Sequence, residues 1–442
     1  MNARPLPMTS APFADVASLE CEIPYAAAID AARRLVKVLQ VDAEDVARDE
    51  PGLHLHLTRL DTAARLGHDI EVCGSGLDCP SATRNSLYPA IARLCHADPI
   101  AARNGVGRKA ASYVKMPGVA EAFPDLVPML TGQAQRSLAT IEFQQVSGNR
   151  TLCVPLALVN PAYLRNVEAG DIPSGIEDDF DYGQLRRYCS DAGIAAGATF
   201  DEALLQALLA AQEQLAAARF AVNGIALRQR RYLRRVDADS VPEQIGELMA
   251  TAAARLGQPV HLFDIGAGGR VAIYLACVEG AMPVEHGVAA GAGFSPEHAA
   301  TRALRSLLQA NELTAWKRGV AGTVPMQSQS QHPQDAAANG GPYHQFAIHH
   351  LREILQDANY DTVPFGSQAT AIPATLAERI VLLCAGFQHA GLTAWYARWP
   401  LPSDTRDVAC VQVLLAPFDA NLLLQGAPVG VSFAALQDAA NP

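Results

Sequence analysis

Gly291-Ala292-Gly293-Phe294-Ser295-Pro296-Glu297-His298-Ala299-Ala300-Thr301-Arg302-Ala303-Leu304-Arg305-Ser306-Leu307-Leu308-Gln309-Ala310 runs a small glycine turn straight into a long Ala/Leu-rich stretch, amphipathic over Ala299 to Leu313. The chain does this twice more. Gly74-Ser75-Gly76 leads into Ala82 to His96, and Gly193 to Gly197 leads into Glu202 to Phe220. Apolar residues recurring at helical spacing predict a helix in each case, and glycine supplies the tight entry. The copies also agree in register, because thirteen residues beyond the last glycine stand Pro89 in the first and Ser306 in the third.

Around these units lie short apolar runs: Thr151 to Val159 (TLCVPLALV), Val260 to Ile265, Val271 to Cys277 and Val408 to Leu415. Their length and β-branched content predict buried strands. Pro24 to Leu39, Phe346 to Leu355 and Leu376 to Phe387 carry helical spacing, and Leu53 to Leu60 alternates like a strand with His54 and His56 on one face. The interleaving predicts a mixed α/β fold with helices packed on sheets. Residues 1–66 are expected to form an N-terminal α/β segment and 67–442 the main domain, interrupted by a mobile loop over Met326 to Pro342 (MQSQSQHPQDAAANGGP), which lacks apolar periodicity.

Of the 442 residues half are hydrophobic and 18% charged, enough to bury one large core or two ordinary ones. A formal net charge of −11 argues against a general nucleic-acid binder. The local exception is the basic run Arg228, Arg230, Arg231, Arg234 and Arg235, able to meet an acidic peptide or a phosphate and otherwise a solvated helix face. Nine scattered cysteines without a Cys-x-x-Cys pair read as reduced core thiols of a cytoplasmic protein. No stretch approaches the ~18 apolar residues of a membrane span, and neither histidine of the Leu53 to Leu60 strand has partners placed to complete a metal site.

In these features the chain resembles the YcaO family, whose members activate peptide-backbone amides with ATP to make azolines, thioamides or amidines. The family's Gly-Lys-Gly turn and glutamate-bearing helix resemble Gly74-Ser75-Gly76 followed by Asn85-Ser86-Leu87-Tyr88-Pro89-Ala90-Ile91-Ala92-Arg93. Its second signature resembles Ser190-Asp191-Ala192-Gly193-Ile194-Ala195-Ala196-Gly197, Thr199, Asp201-Glu202-Ala203 and Ala207 to Leu215. The third resembles Gly291-Ala292-Gly293 with Arg302-Ala303-Leu304-Arg305-Ser306-Leu307-Leu308-Gln309.

The resemblance implies helix-borne carboxylates holding magnesium ions that bridge the ATP phosphates, and magnesium needs several oxygen ligands. Here Pro89, Ala92, Ala210 and Ser306 stand at four of those positions, and Glu213 is the carboxylate that remains. Arg93, Arg302 and Gln309 persist as phosphate donors or helix supports, with Ser75 in place of the turn lysine. Each carboxylate–metal contact is worth about 4 kcal/mol at an effective dielectric of ~20, so four losses oppose ordinary Mg-ATP binding. Pro89 adds ~3 kcal/mol against an uninterrupted helix, which is expected to start later or kink there.

The expected function is therefore that of a YcaO-like pseudoenzyme in a cytoplasmic peptide-modifying complex: no metal, no cofactor, and no catalytic residue of its own. Its expected partners are an active homologue or another maturation enzyme and a precursor peptide, in a homo- or heterodimer, with neither nucleic acid nor membrane. The first alternative is an active ATP- and Mg2+-dependent cyclodehydratase or thioamidation enzyme. The second is an unrelated enzyme reusing the pocket, for which Glu177, Asp178, Asp179 and Asp181 or His344, His349 and His350 would be candidates.

Overall fold

The computed structural model describes residues 21–417 apart from 51–52, 98–105, 125, 171–175, 184, 186–188, 267–269, 280–286, 322–350, 368–372 and 402–406. The loop expected over Met326 to Pro342, and His344, His349 and His350, lie outside the described residues.

Three sheets organise the described residues. The first has the order β1 (Asp42–Glu50), β2 (Leu53–Asp61), β3 (Ile70–Gly76). The second runs β4 (Val106–Ala110), β5 (Ser137–Gln145), β13 (Thr393–Arg398), β14 (Ala409–Ala416), β7 (Ile194–Gly197), with β6 (Thr151–Pro155) also paired to β5. The third runs β11 (Val288–Gly293), β10 (Ala272–Val278), β9 (Val260–Asp264), β8 (Arg234–Val236), β12 (Asp361–Val363). Pairing is antiparallel except between β8 and β12. The principal helices are α1 (Tyr25–Val38), α2 (Cys79–Ala97), α3 (Phe200–Arg219), α4 (Glu243–Leu256), α5 (Pro296–Ala321) and α6 (Leu376–His389). Position 66 falls between β2 and β3, inside the first sheet.

The glycines expected in turns lie instead at the ends of strands β3, β7 and β11, each an edge of its sheet. The reason is steric. A Cβ on Gly74 would sit 2.3 Å from the Ser86 backbone nitrogen, one on Gly197 2.6 Å from that of Ala203, and one on Gly291 2.3 Å from that of Ala303. Without side chains there, α2, α3 and α5 fold back and lie with their backbones against the strands they follow. Each helix thereby packs on the face of its sheet, across its own strand and the next one inward: α2 on β3 and β2, α3 on β7 and β14, α5 on β11 and β10.

The three units also close on one another. Helix α2 touches β7, α3 touches β11 and α5 touches β3, so each helix contacts its own strand and the next unit's strand in a ring. Alanine and leucine fill the contacts: Ala203, Leu208, Ala300, Ala303, Leu304 and Ala90 are each fully buried. The chain entering α1 is tied to the ring by Glu202, fully buried, which accepts hydrogen bonds from the Ala198 and Glu22 backbones at 3.0 and 2.5 Å and pairs with Arg84 at 3.1 Å. Thr199 caps α3 by accepting from the Glu202 N–H at 3.2 Å.

Two further expectations are corrected. Thr151 to Val159 is a strand only to Pro155, and Leu156–Val159 turns into a short helix. Both parts are largely buried, and a continuous apolar run carries no periodicity to separate them. Helix α2 does not start late: it runs from Cys79 through Pro89 to Ala97. Pro89 lies on its exposed side, and so does Asn85, whose carbonyl is the one that loses its helical donor.

A Gly291→Ala substitution should lower unfolding free energy by about 3 kcal/mol, since neither Ala303 nor Ala299 backbone can yield. Gly246→Ala, inside α4 with open space around it, should be neutral or gain up to ~1 kcal/mol. Equal urea midpoints for the two variants would show that the strand–helix contact does not exist.

Candidate functional site

The ring places equivalent helix positions against the neighbouring glycine strand. Sixteen residues beyond the last glycine of their units stand Ala92, Glu213 and Gln309. Two of them reach across. The Ala292 N–H, between the glycines of β11, donates to Glu213 Oε1 at 2.8 Å, and Gln309 Nε2 donates to Ser75 Oγ, between the glycines of β3, at 2.8 Å. Ala92 is buried and has no polar atom to offer β7.

Two turns earlier on the same helix faces stand Asn85, Gln206 and Arg302. Arg302 Nε pairs with Glu213 Oε1 at 2.8 Å while its Nη1 donates to Gln206 Oε1 at 2.9 Å. Asn85 Nδ2 donates to the Ser75 carbonyl at 2.9 Å. Between these layers lie Pro89, Ala210 and Ser306, with Pro89 exposed and the other two half-buried. The structure thus brings Ser75, Glu213, Arg302 and Gln309 into the contacts that join the units. Arg93 does not take part: it is exposed and donates to the Glu71 carbonyl at 3.0 Å, on its own unit's strand.

Two arginines escaped the sequence reasoning. Arg84 stacks over the rings of Tyr25 and Tyr88, 5.9 and 5.3 Å from their centroids, while bonding Glu202. Their 118-residue separation left no local signal. Arg305, next to Ser306 in sequence, has no hydrogen-bond acceptor for its buried Nε among the described residues. Burial pushes its pKa down to about 10, against the pull of Tyr25 and Asp78. It remains a cation at neutral pH.

Among the described residues no group of three or more His, Cys, Asp or Glu side chains is placed to hold a metal ion. His56 Nδ1 lies 2.7 Å from Ser86 Oγ in a buried cluster with Thr58. The acidic run is structural: Asp178 accepts from the hydroxyls of Tyr163 and Tyr182 at 2.6 and 2.7 Å, Asp179 from Arg136, and Glu177 from Arg108. Among the described residues no helix is long and apolar enough to cross a membrane.

The fold has solved relatives. YcaO from Methanopyrus kandleri bound with AMPPCP and Mg2+ superposes with a TM-score of 0.60 at 16% identity over 90% of this chain and 92% of that one. A heterocyclase in complex with substrate and cofactor gives 0.56 at 16% identity, over 90% of this chain and 53% of the other. A chain of the E. coli microcin synthetase McbBCD complex gives 0.54 at 11% identity, over 85% and 87%. No curated protein shows significant sequence similarity. The sequence model described as YcaO cyclodehydratase, ATP- and Mg2+-binding, matches residues 116–417, which contain the second and third glycine units; the first is equivalent to them in the ring. On that match, which spans most of its length, the chain belongs to the YcaO family.

Proposed function

We propose that this chain is a YcaO subunit of a complex that modifies a ribosomally made peptide, and that its own ATP and Mg2+ site no longer operates. The chain acts by docking a catalytic homologue or another maturation enzyme, together with the precursor peptide. The observation that carries the reading is the state of Glu213. It is the one carboxylate left among the positions that the family resemblance assigns to metal ligands, and it is committed to Arg302 and the Ala292 N–H. Magnesium, a hard cation that accepts only near-octahedral oxygen sets, finds no such set in Pro89, Ala92, Ala210 and Ser306. The residues present therefore do not fit the Mg-ATP group, and no chemical step is derived through it.

The solved relatives support the setting. One is a heterocyclase held with its substrate, and another belongs to a multi-protein synthetase. For this chain we propose the same environment without nucleotide turnover, in the cytoplasm, as a dimer with itself or with an active homologue. Such pairing should bury roughly 1,200 Å² or more. Light scattering of the chain, alone and mixed with that homologue, should give a mass above the 46.9 kDa monomer in at least one case. A monomer in both would remove the docking role.

Calorimetric titration with Mg-ATP should give no binding in the micromolar range. Micromolar affinity with peptide-dependent release of ADP would replace the proposal by an active cyclodehydratase. Glu213→Gln keeps an oxygen for the Ala292 N–H but loses the ion pair, and should cost ~1 kcal/mol of stability. Product formation by the assembled complex should stay within about threefold, a change worth well under 1 kcal/mol. A loss of orders of magnitude with unchanged folding would make Glu213 a working ligand.

A further inference from the structure

Beyond the C-terminal end of α3 lies a pocket that the ring does not use. Its enclosed volume is small, about 40 Å³, room for the end group of a side chain. Leu215, Ala216, Phe220 and Ile265 give it apolar surface. Arg219, Arg231 and Arg234 line the same space, two of them from the basic run Arg228 to Arg235. Among the described residues that line it, one carboxylate, Asp264, stands against these three guanidinium groups. In a protein of net charge −11 this is a concentrated local excess of positive charge.

The cations differ in what already holds them. Arg234 pairs with Asp264 at 3.2 Å and donates to Ser367 Oγ at 3.3 Å. Arg231 is exposed, lies over the Tyr232 ring at 5.0 Å and donates to the neutral Gln229 side chain at 3.1 Å. Arg219 has no ion pair or hydrogen bond among the described residues. Asp264 is fixed by the Gly266 N–H at 3.1 Å as well as by Arg234, so it cannot swing to neutralise the others. The backbone here is unusual too. Phe220–Ala226 winds as a π-helix at the end of α3, a local widening that recurs at functional sites.

We propose that this pocket binds a carboxylate-bearing segment of a peptide, with Arg219 and Arg231 taking the acidic side chain and the apolar surface taking its neighbour. This rests on the reading that the chain docks a precursor peptide. Planar guanidinium forks match a carboxylate in two parallel bonds. A free phosphate suits the pocket less well, because the buried Asp264 carboxylate would face its second charge and because the apolar wall would have nothing to cover. Burial holds the Asp264 pKa above the ordinary carboxylate range, while Arg234 opposes that rise and keeps the pair together.

The test uses the full chain and a fluorescent, doubly capped peptide of alternating glutamate and leucine, beside its glutamine isostere. Anisotropy should show the acidic peptide binding at least about tenfold tighter, the effect of one or two charge-assisted pairs. Arg219→Gln with Arg231→Gln should erase the preference while the thermal midpoint and the light-scattering mass stay unchanged. Equal binding of the two peptides, or a preference that survives the double variant, overturns the proposal. So does displacement of the peptide by inorganic phosphate at about its own concentration, which marks a phosphate site. None of these readouts involves Mg-ATP, so this site can fail while the inactive nucleotide site stands, and the reverse.

Discussion

Backbone lying on backbone, between a glycine edge strand and the helix that follows it, is the constraint from which the rest of the molecule is built. At Gly74 and Gly291 the space a methyl group needs is already filled by helix nitrogens and carbonyls. That closeness sets where α2, α3 and α5 begin and how far their far faces extend. Only because each helix lies so near its own strand can Glu213 and Gln309 reach the middle residue of the next one at 2.8 Å. A shift of 1 Å would turn those contacts into gaps, since hydrogen bonds weaken steeply beyond ordinary distances.

The same closeness gives a physical reason for the identities at the ring's helix positions. Carboxylates gathered about 5 Å apart repel by ~3 kcal/mol per pair at an effective dielectric of ~20 unless a cation sits among them. On the proposed reading, a ring without a cation would gain by lacking them. Pro89, Ala92, Ala210 and Ser306 carry no charge, and the surviving Glu213 is neutralised by Arg302. The helices then meet through apolar packing, the Arg302–Glu213 pair and the Gln309–Ser75 hydrogen bond. Functional sites commonly trade stability for chemistry, and relaxing the chemistry returns the stability.

How much of this the sequence made legible depends on the range of each interaction. The helices and most strands follow local periodicity, and β9, β10 and β14 begin and end within a residue or two of the apolar runs that announce them. The three signatures were legible because glycine and alanine recur at fixed offsets from each other. What lay beyond reach was pairing across the chain: Arg84 with Glu202, Gln309 with Ser75, and the sheet that joins β5 to β13. Pro89 misled for a related reason. The cost of a proline inside a helix depends on whether the orphaned carbonyl faces water, and the face it occupies is set by tertiary packing. Arg219 and Arg231 stand apart in sequence and meet at one pocket only because the π-helix and the turn at Arg230–Tyr232 bring the chain back.

Helix α3 therefore carries two polar regions of opposite character, six residues apart. At Glu213 every charge has an opposite partner close by, and the ring is satisfied as it stands. At Arg219 the α-helix passes into the π-helix Phe220–Ala226, and the guanidinium has no ion pair or hydrogen bond among the described residues. The anionic side chain proposed for this pocket would supply the carboxylate that Arg219 and Arg231 lack among the described residues.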